Sequence, residues 1–129
     1  MPSSQQTLAS ITTAGAVSST NTASIAIARP AGGLILVCDL TAAATDVGDT
    51  LDIKVQTQIG GLWVDVAYFT QILGNGGTKR FAAKLMTQTA FALGDVAAAL
   101  TAGNIRHLFG DAWRVNYVVV DANANSAFT

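Results

Sequence analysis

Three features of the sequence predict an all-β protein: a single antiparallel β-sandwich with an extended N-terminal arm and one short helix. Apolar and polar residues alternate along several short stretches, the pattern of strands with one dry face and one wet face. Glycine-rich turns separate those stretches at the spacing of a sandwich or barrel. The chain contains no glutamate and is rich in Thr, Val, Ala and Gly, which suits pleated sheets better than exposed helix faces.

Residues 1–24 are small and polar and read as an arm; residues 25–129 read as the sandwich domain. The arm is ordered either by a neighbouring chain or as an edge strand on its own domain. Ser24 to Arg29 alternates and runs into the turn Pro30-Ala-Gly-Gly33. Leu34 to Leu40 is almost continuously apolar and reads as a central strand, buried on both faces for part of its length. Thr41 to Thr50 is a loop. Leu51 to Ile59 is the clearest strand: Leu51, Ile53, Val55 and Ile59 face one way, and Asp52, Lys54, Gln56 and Gln58 the other.

Gly60-Gly61 predicts a tight hairpin, after which Leu62 to Phe69 returns. Strict alternation along that return places Trp63 and Phe69 together, opposite Val64 and Val66. Gly74-Asn-Gly-Gly77 is a second turn, leading into a strand over Thr78–Leu85 in which Arg80 and Lys84 share a face. Gln88 to Leu93 suits a short strand. Asn104 to Phe109 has helical spacing and ends at Gly110, a candidate C-terminal glycine. Ala112 to Val120 is the last long strand, with Trp113, Val115, Tyr117 and Val119 on one face. Asp121 to Thr129 is polar apart from Phe128. No crossover-length helix lies between strands, which argues against a parallel sheet.

The chain has 129 residues, enough for one domain with a sizeable core. Its formal net charge is −1 and its pI about 5.5, so broad attraction to nucleic acid or to an anionic membrane is not expected. The apolar run between Arg29 and Asp39 is too short to span a bilayer. The first residues lack the basic and apolar regions of a secretory signal. A lone cysteine, Cys38, excludes an intrachain disulfide and fits a reducing compartment. A lone histidine, His107, excludes sites that need two imidazoles.

The chemistry-bearing residues do not form a recognisable catalytic set. A nucleophilic pair would need Cys38 and His107 within hydrogen-bond reach; a small buried thiol is the plainer reading of Cys38. Asp46, Asp49 and Asp52 do not follow the calcium-loop spacing and read as turn and capping residues. Gly74 to Lys79 lacks the order of a phosphate loop and the helix that would follow it. No catalytic, cofactor or metal residue is assigned, and the chain is expected not to be an enzyme. Trp63, Tyr68 and Trp113 could stack on a sugar if exposed, or belong to the core if buried.

Mean hydropathy is +0.42 and only 12% of residues are charged. Apolar surface of that extent calls for an interface, and homo-oligomer closure is the common way to hide it. A stable interface buries on the order of 1,200–2,000 Å². The arm and one sheet face are expected to supply it. Candidate contact residues are Gln5, Gln6, Leu8 and Ile11 in the arm, with Lys79, Arg80 and Lys84 on the basic strand.

Leu51-Asp-Ile-Lys-Val-Gln-Thr, Trp63-Val-Asp-Val-Ala-Tyr-Phe-Thr, Thr78-Lys-Arg-Phe and Gly110-Asp-Ala-Trp-Arg-Val resemble small virion structural proteins of tailed bacteriophages. The resemblance spans roughly residues 25–120. It implies a jelly-roll or related β-sandwich and a non-enzymatic role, most often as a capsid decoration or cement protein. It further implies a homotrimer, contact with the major capsid protein, and residence on the virion surface after assembly in the host cytoplasm. A tail or connector location, or a carbohydrate or host-surface binding module, is the alternative.

Overall fold

The computed structural model describes residues 6–27, 32–87, 94–121 and 127–129. The strands in chain order are β1 (Val17–Asn21), β2 (Ile25–Ala26), β3 (Gly33–Leu40), β4 (Thr50–Ile59), β5 (Leu62–Tyr68), β6 (Ile72–Leu73), β7 (Lys79–Met86), β8 (Asn104–Ile105) and β9 (Ala112–Val120). All pairings among the described residues are antiparallel. A seven-stranded sheet has the order β1-β9-β4-β5-β8, with β2 also on β9 and β6 on β4; β3 and β7 form a second, two-stranded sheet. The two pack face to face as an all-β sandwich with unequal layers.

The large sheet is built on β4 and β9, whose alternation is the strongest in the sequence. Leu51, Val55, Trp113, Val115 and Val119 are buried on their shared inner face. Thr57 is also fully buried there. Its hydroxyl donates to the Ala112 carbonyl (2.9 Å) and accepts from the Gly110 amide (3.0 Å), so both capacities of the group are used. The β4–β5 turn is the predicted two-residue hairpin. Gly60 and Gly61 both have positive φ, 57° and 81°, as a type I′ turn requires.

Strict alternation fails in β5. The register jumps from Val55↔Ala67 to Gln56↔Asp65, which leaves Val66 as an extra residue in a bulge. The slip reverses every side chain beyond it. Trp63 and Phe69 therefore lie on opposite faces, contrary to the alternating reading. Tyr68 joins Trp63 on the outer face, and Phe69 enters the core, stacked on Phe81 at 6.3 Å.

β3 is not a central strand buried on both faces. Among the described residues it pairs with β7 alone, and its burial alternates: Leu34, Leu36, Cys38 and Leu40 turn inward, while Ile35, Val37 and Asp39 are exposed. A continuous apolar run cannot distinguish these two arrangements.

There is no helix among the described residues, and the predicted one over 104–109 is extended chain. Asn104 and Ile105 pair with β5, and the Arg106 amide continues that edge by donating to the Val66 carbonyl (2.8 Å). The Arg106 guanidinium donates to the carbonyls of Asp65, Val96 and Ala98, and His107 Nδ1 accepts from the Met86 amide (3.0 Å). Those side-chain bonds hold the segment between the two sheets. Gly110 is not a helix cap either. A Cβ there would sit 1.9 Å from the Gln58 carbonyl oxygen, so glycine is required by close approach to β4.

Part of the arm belongs to the domain's own sheet. Val17–Asn21 pair with β9 as an edge strand, so that reading of the arm holds for these residues. Arg29 and Pro30, and the strand expected over Gln88–Leu93, lie outside the described residues. The end of the described chain is structural. Phe128 is 1% exposed, the amide of Thr13 donates to its carbonyl, and Thr129 pairs with Thr41 and Ala42.

Candidate functional site

The basic strand predicted to contact a partner is β7, and pairing with β3 gives it an unforeseen neighbour. On the outward face the register sets Ile35 across from Lys84, Val37 across from Ala82 and Asp39 across from Arg80. Ile35 is 64% exposed and Val37 54%. Arg80 and Lys84 share this face as predicted, while Lys79, also exposed, opens the strand opposite Leu40. Arg80 reaches Asp39 at 3.8 Å, an exposed pair that contributes about 0–1 kcal/mol. The result is a flat surface with an aliphatic centre and a charged rim.

The predicted arm residues lie elsewhere. Gln6 is exposed, whereas Leu8 and Ile11 are half-buried, and all three line one wall of a cavity of about 560 Å³ beside β3. Gln5 is outside the described residues. The arm and β7 lie on either side of β3, and Arg80 reaches across it to the rim of the same cavity.

The outer face of the large sheet is a polar ladder. Asp65, buried at 7% exposure, accepts from Gln56 Nε2 (2.8 Å) and from the Leu100 amide (3.2 Å), and Lys54 Nζ lies 3.9 Å away. Gln56 Oε1 accepts from Arg114 Nε (2.8 Å), and the Arg114 guanidinium covers the Trp63 ring at 4.2 Å. Lys54 sits over the Tyr68 ring at 4.8 Å, and the Tyr68 hydroxyl donates to Asp52 (3.1 Å). Burial first, then the bond to Asp52, raises the Tyr68 pKa, while desolvation lowers that of Arg114. Trp113, by contrast, is 1% exposed and packs edge-on against Phe109, so it is core.

Comparison with protein-family models, with curated proteins and with solved structures gives no match for this chain.

Cys38 and His107 do not meet. His107 bonds at the level of Met86, the partner of Gly33, whereas Cys38 pairs with Phe81, about 16 Å further along the sheet. Burial, and then the adjacent Asp39 charge, raises the Cys38 thiol pKa above 9.0, the reverse of an activated nucleophile. The loop aspartates have separate roles: Asp52, in β4, serves Tyr68 and Gln71, while Asp49 is buried at the end of the loop between β3 and β4. Among the described residues, no three His, Cys, Asp or Glu side chains gather as a metal site.

The sequence reading missed Ile35, Val37 and Asp39 as surface residues. The available signal was their pairing with a strand whose alternate residues, Arg80 and Lys84, are charged. A partner strand with one wet face implies that the neighbouring strand has one too.

Proposed function

We propose that this chain is a non-enzymatic structural component of a phage virion, a decoration protein that cements the capsid by bridging major capsid subunits. The observation that carries this reading is the outward face of β3 and β7, where Ile35 and Val37 stand exposed between Arg80, Lys84 and Asp39. An apolar centre with a polar rim is the composition of a protein interface. Fully burying an Ile or Val side chain contributes roughly 1.5–3 kcal/mol, and a homotrimer would repeat that gain at each copy. The cementing mechanism is the added buried surface across the joints between shell subunits. The strand segments that resemble virion proteins supply the class of assembly.

Imaging of virions with and without the chain tests the reading. Density on the outer shell surface is expected, together with earlier heat disruption of shells that lack it. Density in the tail or connector would retain a structural role and reject the cement role. Light scattering on the purified protein should give a trimer mass; a monomer at all concentrations would reject the oligomer.

A second reading, a carbohydrate or host-surface module, is favoured by Trp63 and Tyr68 on the polar outer face beside Asp52, Gln56 and Asn116. Glycan-array binding abolished by Trp63→Ala would establish it in place of the first.

A further inference from the structure

β4, β5 and β9 set the charged side chains Asp52, Lys54, Asp65 and Arg114 on the outer face of the large sheet, and these do not pair off. Asp65 faces Lys54 and accepts from Gln56 and the Leu100 amide, while Asp52 accepts from Tyr68 and Gln71. No aspartate lies within ion-pair distance of Arg114 among the described residues. Desolvation nevertheless lowers the Arg114 pKa. A partly dehydrated cation with no counter-charge favours an incoming anion.

The guanidinium is also held still. It covers the Trp63 ring at 4.2 Å, and its Nε–H donates to Gln56 Oε1 at 2.8 Å. Gln56 is fixed in turn by Asp65, which is buried and anchored on the Leu100 amide. This chain of contacts engages Nε and leaves the Nη groups, whose end-on fork matches a carboxylate in bidentate geometry. Rotamer freedom that a mobile arginine would lose on binding is already gone.

The surroundings select among anions. Asp52 and Asp65 on the same face weigh against a polyanion, and Lys54 offsets only one of them, so a single carboxylate fits best. β4 and β9 are interior strands, so this part of the face has no open strand edge for an extended peptide. The flanking groups are amides: Gln58, paired with Trp63, and Asn116, two residues along β9. Asn116 Nδ2 donates to Ser19 and Asn21, which leaves its Oδ1 to accept from a hydroxyl. A charged fork between side-chain amides suits a hydroxyl-rich acid. We propose that Arg114, held on Trp63, is the carboxylate-binding centre of a site for an acidic sugar, with Gln58 and Asn116 taking its hydroxyls. The site rests on the carbohydrate reading of this face and gives that reading its class of sugar.

The probe is glucuronate, titrated into the full chain and followed by NMR. The Arg114 Nε–H and Trp63 indole signals should shift and saturate. Glucose has the same ring with a hydroxymethyl in place of the carboxylate, and acetate has the carboxylate without the ring; each should bind about tenfold or more weakly. Arg114→Lys keeps the charge without the fork and should weaken glucuronate by a similar factor. Equal binding of glucose overturns the proposal and leaves a neutral-sugar site, so the carbohydrate reading survives. Equal binding of acetate overturns it and leaves an adventitious ion only. Undiminished affinity in Arg114→Lys overturns it as well. If neither sugar moves any signal of the outer face, the proposal and the carbohydrate reading fall together.

Discussion

Under β3 and β7 the inner face of the large sheet meets a second layer of paired strands. Past the edge of β3 the same face meets an unpaired length of chain. The first region buries Val64, Val66, Phe69, Leu85 and Trp113 in one cluster with the inward side chains of both strands. The second is closed at one end by isolated attachments: Thr13 to Phe128, and Thr129 to Thr41 and Ala42. Similar apolar floors thus have lids of different construction. In one, stability is spread over a ladder; in the other it is concentrated in a few residues. A concentrated lid can open without dissolving the sandwich.

The sharpest way to expose this difference is Phe128→Ala. Removing a buried aromatic should cost about 3–5 kcal/mol, read as a lower urea midpoint. Leu8→Ala, on the half-buried arm, should cost clearly less. Equal losses would mean that stability on the arm side is spread along the arm and not concentrated at Phe128, and would break the comparison. Next in size is Asp65→Ala, which strands the Leu100 amide and Gln56 and should cost about 1–3 kcal/mol. Amide exchange should accelerate at Leu100.

An alkaline titration follows. The Cys38 thiol has a higher pKa folded than unfolded, so the native state holds its proton more tightly. Its contribution is complete below pH 9.0, the unfolded value, and is lost as pH rises through the folded value. Tyr68 adds a loss of the same sign from pH 10.0 upward. Cys38→Ala should remove the first part of that decline in chemical denaturation; an unchanged decline would refute the assignment. The smallest stability effects belong to the outward face. Ile35→Ser and Val37→Ser should stay within about 0.5 kcal/mol of the parent while weakening self-association in sedimentation. A large stability loss would show that this face is covered within the monomer.

Much of the large sheet is legible in the sequence, because β4 and β9 alternate strictly and the Gly60-Gly61 hairpin fixes their neighbour. What alternation could not reveal is the bulge at Val66, since a one-residue slip leaves composition untouched. β3 was misread for a related reason: Ile35 and Val37 are as apolar as Leu34 and Leu36, and only pairing decides which pair is wet. Ile105, Leu108 and Phe109 mimic helical spacing, but Arg106 and His107 spend their hydrogen bonds on neighbouring strands. Phe128 carries no periodic signal, being one aromatic in a polar stretch. Of the candidate interface, the Arg80 and Lys84 half was readable, and the aliphatic half depended on a contact between distant segments.

The position of β9 has a consequence for synthesis. It is the last long strand in the chain, yet it holds β1, β2 and β4 together in the large sheet. During translation β4 and β5 can zip locally, but their apolar side has no completed sheet until residues beyond 112 leave the ribosome. At about 5–20 residues per second, several seconds pass between the release of β5 and the completion of its sheet by β9. A nascent chain stalled before that point is a natural client for chaperones, and commitment to the native state is a late, nearly all-or-none event.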